Sequence, residues 1–183
     1  MSLDQFLAWE ERQELRYEFD GFQPGAMVGR TAAHAAIQVN LLAALRARLR
    51  GKPCQPYGSE LKIKVAGSIR YPDAFVICKL IPPRETVVTE PTVVFEILSE
   101  STSNTDLVVK NQEYRATPSI ERYVILEQTD AAAIAFVRKG ESWVSEILAG
   151  NDAVLRMPEI SVEIPLAELY EGVELSKPAD GAA

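Results

Sequence analysis

Tyr71-Pro72-Asp73-Ala74-Phe75-Val76-Ile77-Cys78 opens the stretch that decides the fold, which runs on through Thr92-Val93-Val94-Phe95-Glu96-Ile97-Leu98 to Lys110. Both quoted runs are rich in β-branched and aromatic residues with little alternation, the pattern of central strands covered on both faces. Each carries an acid. Glu96 stands inside its strand on the side of the pleat shared by Val94 and Leu98, where a lone carboxylate is costly unless paired or bound to a cation. Asp73 opens the other strand. If the two strands are antiparallel neighbours, the start of one lies beside the later part of the other, and the two carboxylates converge on one point. That is the minimum needed to hold a divalent cation.

Working outward, the connection Leu80 to Pro91 carries three prolines and reads as a loop. After Leu98 the run Ser99-Glu100-Ser101-Thr102-Ser103-Asn104 is rich in capping residues and predicts a helix from about Thr105 to Ala116, which Pro118 ends. Upstream, Gln55 to Val65 alternates as one amphipathic strand, with Leu61, Ile63 and Val65 on one face and Glu60, Lys62 and Lys64 on the other. Gly67-Ser68 turns the chain toward Asp73. Thr31 caps a long helix from Ala32 to Arg50, whose stripe of Ile37, Leu41, Leu45 and Leu49 keeps close to helical period, and Gly51 and Pro53 stop it. Arg46, Arg48, Arg50 and Lys52 crowd its end, as a phosphate-contacting patch or as cations complementing the helix dipole.

The N-terminus predicts a short helix from Ser2 to Leu15, then a hairpin from Arg16 through the Pro24-Gly25 turn to Val28. Downstream, Glu121 to Glu127 reads as a strand, Ala132 to Arg138 and Trp143 to Leu148 as a hairpin around Lys139-Gly140. Ile160, Val162 and Ile164 form a last strand, Pro165 to Tyr170 a short helix, and Ser176 to Ala183 a frayed tail.

The 183 residues, 47% of them hydrophobic, suit one domain over 1–183 with a substantial core. Cys54 and Cys78 lack metal-type spacing and do not suggest a disulfide framework, so a reducing cytoplasm is the expected compartment. The N-terminus has no signal-peptide pattern, and no apolar run approaches bilayer length. A net charge of −7 argues against strong non-specific binding to nucleic acid, yet leaves room for a locally basic cleft.

The order of helix, three strands, helix and strand, with acids on the second and third strands, resembles the PD-(D/E)XK nuclease superfamily. More narrowly, the chain resembles the Uma family of restriction-endonuclease-like proteins. The residues carrying this are Arg16-Tyr17-Glu18 with Asp20-Gly21, Met27 before His34, Tyr71-Pro72-Asp73, and Glu96-Ile97-Leu98-Ser99 followed by Ser101-Thr102, Asp106 and Lys110. Tyr114-Arg115, Pro118-Ser119, Glu121-Arg122-Tyr123-Val124 and Ile164-Pro165-Leu166 with Tyr170 extend it from about Leu3 to Glu171. Leu98 stands where the superfamily places a lysine, and the resemblance puts that lysine in the following helix, as Lys110. Glu100 replaces a frequent proline and Leu107 a frequent arginine.

The resemblance implies an α+β fold, a restriction-endonuclease-like mixed β-sheet flanked by helices, with extra N-terminal and C-terminal β-hairpins. It also implies a Mg²⁺- or Mn²⁺-dependent endonuclease hydrolysing DNA phosphodiester bonds. Asp73, Glu96 and the carbonyl of Ile97 would bind the metal, Lys110 would orient water or offset developing charge, and Glu18 would assist as an outer ligand. The same residues have plainer roles: Asp73 as a turn acid, Glu96 as a buried acid paired with a base, Glu18 as a surface acid. Asp106 caps its helix or pairs with Lys110, Lys62 competes with Lys110 for the catalytic charge, and His34 is a general base or a structural hydrogen-bonding residue. A catalytically idle interaction or nucleic-acid-binding module is the alternative function. Superfamily members that cut both strands commonly act as two-fold dimers. With Ile134, Phe136, Trp143 and Val144 on the C-terminal hairpin, this predicts a homodimer.

Overall fold

The computed structural model describes residues 1–27, 29–98 and 106–175, with the side chains of 106 and 107 not included. Its frame is a six-stranded sheet in the order β11-β10-β9-β8-β6-β3, formed by β3 (Gln55–Gly58), β6 (Ala74–Ile77), β8 (Val93–Ile97), β9 (Arg122–Leu126), β10 (Ala132–Lys139) and β11 (Ser142–Ala149). The two acid-bearing runs are central and antiparallel, Ala74 pairing with Phe95 and Val76 with Val93. β8 and β9 are parallel, joined by a crossover that contains a π-helical turn (Asp106–Lys110) and helix α3 (Asn111–Ala116). Parallel neighbours need such a crossover because no tight turn can reverse the chain twice.

The continuous apolar character of β6, β8 and β9 has its cause in two covered faces. On one side Ala74, Val76, Val93, Phe95 and Ile97 pack against Ile37, Leu41 and Leu45 of helix α2 (Ala32–Leu49), together with a ribbon of β12 (Val154–Met157) and β13 (Val162–Pro165) and helix α4 (Leu166–Leu169). On the other side Phe75, Ile77, Val94, Tyr123 and Ile125 meet Tyr114 of α3 and a second sheet. That sheet has the order β2-β1-β5-β4-β7, from β1 (Tyr17–Phe19), β2 (Pro24–Ala26), β4 (Lys62–Val65), β5 (Ser68–Arg70) and β7 (Val87–Val88). Helix α1 (Leu3–Glu10) adds Phe6 to a third cluster with Phe19, Ile69 and Tyr71. Ser2 caps α1 through a reciprocal pair with Gln5, and Thr31 caps α2. The expected mixed sheet flanked by helices, with hairpins at both ends, is the observed architecture.

Several local expectations are corrected. Gln55 to Val65 is not one strand: β3 belongs to the six-stranded sheet and β4 to the other, with a turn at residues 59–61 between them. Gly58 makes the break possible by close approach, since a Cβ there would stand 3.1 Å from a Leu42 methyl of α2. The turn into the Asp73 region is Ala66-Gly67, both at positive φ, which lets β4 and β5 reverse in two residues. The proline-rich loop contains β7, a strand precedes Ile160, and α1 ends at Glu10 instead of Leu15. The helix after Glu96 opens with a π-helical turn. Its expected cap at Ser99 to Asn104, Val28 at the end of the first hairpin, and the tail from Ser176 lie outside the described residues.

Cys54 and Cys78 form a disulfide, against the expectation. They flank the pair Gln55 and Ile77 across β3 and β6, a juxtaposition created by strand register that spacing along the chain does not reveal. No helix among the described residues is long and apolar enough to cross a membrane.

The two sheets are tied electrostatically as well as by apolar contact. Arg70 of β5, 4% exposed, donates from Nε and Nη2 to Glu113 of α3 at 2.7 Å each, and Ser68 Oγ donates to the same carboxylate at 2.8 Å. Burial works against the charge on Arg70, but the Glu113 and Glu18 carboxylates raise its pKa above the ordinary arginine value. Glu113→Ala leaves the buried guanidinium with Glu18 as its one remaining carboxylate partner among the described residues and is expected to cost about 3 kcal/mol, read as a lower midpoint in urea. Glu113→Gln, which keeps an acceptor, is expected to lose less.

Candidate active site

Carried one residue beyond Ala74, the antiparallel register sets Asp73 opposite Glu96. Asp73 is 2% exposed. Its Oδ2 accepts the Ile97 backbone N–H at 2.7 Å, which locks the carboxylate onto the neighbouring strand one residue past Glu96. Gln38 of α2 donates to the Asp73 carbonyl at 2.7 Å, so the helix fixes the residue's backbone. Two further groups face the carboxylate: His34 Nε2 of α2 lies 3.1 Å from Oδ2, and a nitrogen of Arg30, just before the helix cap, lies 3.9 Å from Oδ1.

Glu96 is 1% exposed, and its Oε1 accepts from Lys110 Nζ at 3.1 Å and from the Tyr114 hydroxyl at 2.8 Å. Both donors come from the crossover, Lys110 at the last position of the π-helical turn and Tyr114 one turn on in α3. Lys110 Nζ also lies 3.3 Å from Glu18 Oε1. Glu18, on β1, is held by the Tyr71 backbone N–H at 3.0 Å and by Arg70 at 3.2 Å. The chain of charges from Glu96 through Lys110, Glu18 and Arg70 to Glu113 therefore runs from the central strand into the second sheet and back to α3.

Of the predicted residues, Lys110 contacts both Glu96 and Glu18, while the Asp73 carboxylate is held by the Ile97 N–H and faces His34 and Arg30. Lys62 lies elsewhere. Expected on a polar face, it is buried and donates to Glu10 at 2.6 Å, while the Tyr71 hydroxyl donates to the other oxygen of Glu10 at 2.8 Å. The cation on Glu96 is Lys110. The Asp106 side chain lies outside the described residues, so its choice between cap and ion pair stays with the sequence reading.

Asp73 borders an open cleft of about 400 Å³ that is also lined by Arg16, Arg30, Gln38 and Ser59. The lining balances Arg16 and Arg30 against Glu14 and Asp73, and Arg16 is also paired with Glu60. Glu96 and Lys110 are not part of its lining and are nearly closed from solvent. Among the described residues no three His, Cys, Asp or Glu side chains form a ready metal cage. The donor chemistry nonetheless suits a hard divalent cation, since Asp73, Glu96 and the Ile97 carbonyl present oxygen atoms from adjacent strands.

Arg30, Arg70, Glu113 and Tyr114 were missed as contributors. Only Glu113 and Tyr114 carried a signal, standing three and four residues after Lys110 and so on its side of a helix.

This sheet order with its acid-bearing central strands is that of a nuclease fold. A crystal structure from Anabaena variabilis, described as "a putative nuclease belonging to DUF820", superposes over 93% of this chain and 98% of that one with a TM-score of 0.77 at 17% identity, a likeness of fold. Residues 3–167 match the sequence model of the Uma2 family, described as "Putative restriction endonuclease", and the chain belongs to that family. Two proteins of Synechocystis, each named as uncharacterized, are similar to it: one 28% identical over 94% of this chain and 93% of its own length, the other 25% identical over 81% and 88%.

Burial raises the pKa of the Tyr114 hydroxyl well above its usual 10.0, and the neighbouring Glu96 carboxylate adds to the effect. The unfolded chain releases this proton near pH 10 and the folded chain only at higher pH, so the contribution is complete below about pH 10 and is lost above it. Stability is expected to fall with a steeper alkaline slope in the wild type than in Tyr114→Phe. At pH 8 the variant should be weaker by roughly 1.5–3 kcal/mol, the worth of a hydrogen bond to a charged group, as read by denaturant titration at each pH.

Proposed function

We propose that the protein is a metal-dependent endonuclease that hydrolyses DNA phosphodiester bonds at the Asp73 cleft. The observation that carries this reading is the placement of Asp73 against the Ile97 backbone N–H, opposite Glu96, with Lys110 on the Glu96 carboxylate. Asp73, Glu96 and the Ile97 carbonyl would hold Mg²⁺ or Mn²⁺. When bound, such an ion lowers the pKa of a coordinated water and polarises the phosphate.

The chain's own residues supply the rest. Arg16 and Arg30 at the cleft mouth offer guanidinium groups to the phosphodiester backbone. Lys110, oriented by Glu96 and Glu18, offsets negative charge that develops on the phosphate in the transition state. Glu18 keeps that ammonium in place while Arg70 and the Tyr71 N–H hold Glu18.

One observation favours the alternative of an idle nuclease-fold binding module. Glu96 is buried with Lys110 and Tyr114 on it, which is also how a purely structural ion pair looks. Cleavage of plasmid and oligonucleotide DNA in Mg²⁺ or Mn²⁺ separates the two. Cleavage is expected for the wild type, with Asp73→Ala and Glu96→Ala at background and Lys110→Met slower by about 10²–10³-fold. DNA binding without cleavage under either metal would support the idle module instead, and cleavage that survives both acid substitutions would place the chemistry elsewhere.

For double-strand cutting the reading includes a two-fold dimer. Phe136 stacks on Tyr123 and lies under Arg115, and Trp143 lies 4.5 Å from the Arg138 guanidinium, so these aromatics already pack within their own chain. The dimer therefore rests on the edge strand β11, where Val144 is 43% and Ile147 80% exposed. Light scattering at micromolar concentration is expected to give twice the chain mass, and Ile147→Lys to return the monomer.

A further inference from the structure

We propose that the Cys54–Cys78 disulfide is an exchange site for an anionic low-molecular-weight thiol, docked by Arg46, Arg50 and Lys52 and reacting at the Cys54 sulfur. The proposal is independent of the nuclease reading, since none of these residues lines the Asp73 cleft.

A cavity of about 200 Å³ lies against the end of α2, and Arg46, Arg50, Lys52 and Cys54 are in its wall. No carboxylate among the described residues lines it. Arg48, from the same run of cations, pairs elsewhere with Glu168. Arg46 and Arg50 have no ion pair among the described residues, and Lys52 donates to the Ser161 carbonyl at 2.9 Å, a bond that leaves its charge uncompensated. The C-terminus of α2 contributes only about half a negative charge, so three cations leave the cavity positive. Cys54 is 8% exposed and joins Cys78 across β3 and β6, with β3 at the edge of its sheet. A reagent that combines a thiolate with carboxylates therefore matches this cavity: cations for its charge, and a disulfide sulfur in the same wall.

The exchange has two steps. The incoming thiolate attacks Cys54 Sγ and forms a mixed disulfide, while the Cys54–Cys78 bond breaks and its electron pair leaves on Cys78. A second thiolate then attacks the sulfur of the bound small thiol, and Cys54 leaves as a thiolate that Arg46 and Arg50 stabilise. The protons given up by the small thiols pass to Cys54 and Cys78, so one protein disulfide is reduced and two small thiols are oxidised to their own disulfide. The loop closed by the bond carries β4, β5 and Asp73, and after reduction β3 is held to β6 by its ladder and packing alone.

The test follows reduction of the full oxidised chain by glutathione, which is anionic, and by neutral 2-mercaptoethanol, each rate divided by the thiolate concentration. A chain of net charge −7 repels an anionic reagent in general, so the sign of the preference is diagnostic. Glutathione is expected to be faster by about tenfold at low ionic strength, with the advantage shrinking in high salt. The double variant Arg46→Gln, Arg50→Gln, at two exposed positions, should abolish or reverse that advantage, with the 2-mercaptoethanol rate falling less than about threefold. Acid quenching and peptide mapping should find glutathione on Cys54 and a free thiol at Cys78. A glutathione rate no faster than that of 2-mercaptoethanol would overturn the proposal, as would an advantage that survives the double substitution. Glutathione mapped to Cys78, or two free thiols in the chain purified without reductant, would overturn it too.

Discussion

A carboxylate in the middle of a sheet covered on both faces has to be compensated, and the arrangement around Glu96 follows from that constraint. Water does not reach it, so the protein brings Lys110 and Tyr114 from the crossover that any parallel β8–β9 pair requires. Lys110 in turn is itself a buried charge that needs more than one acceptor, and Glu18 supplies the second. Glu18 needs donors and finds Arg70 and the Tyr71 N–H; Arg70 finds Glu113, three residues from Lys110. The series closes on the helix where it began. Replacing a single member leaves its neighbour charged and dry, which costs more than any one pair contributes.

Asp73 has a different environment, and the contrast gives the site its direction. Its carboxylate is pinned by a backbone N–H from the neighbouring strand but borders an open cleft lined by Arg16 and Arg30. Glu96 sits behind, in the network, while Asp73 sits in front, on the solvent side. The cleft is bordered by Asp73 and Arg30, whereas Glu96 and Lys110 are not part of its lining.

The parts of this arrangement legible in the sequence were those written as exceptions to a local pattern. Acids in β-branched runs and Thr31 before an apolar stripe stand out against their surroundings, whereas Lys110 and Glu18 came from the family resemblance; the structure joins Lys110 to Glu96 and Glu18. What could not be read depended on partners. The alternation from Gln55 to Val65 was real, but it could not say that its halves join different sheets. Lys62 alternated as a surface residue until Glu10, 52 positions away, came to meet it in the core. Cys54 and Cys78 are neighbours only because β3 pairs with β6. Arg70 ends a three-residue strand in which every residue is buried, and nothing local distinguishes it from a surface arginine.

The placement of the acidic and basic groups along the chain bears on when activity can first arise. Glu18, Asp73, Glu96 and Lys110 come from four separate segments, and their positions are set only after β6 has paired with β8, β1 with β5, and the crossover has docked. Contacts between residues far apart in sequence form late, because loop closure must be met before they stabilise anything. A chain still emerging from the ribosome, complete only through Glu96, holds both acids yet lacks the lysine and the strand β9 that fixes their sheet. The charge network is thus a property of the finished fold, and a partly made chain carries both acids without the cation that compensates Glu96.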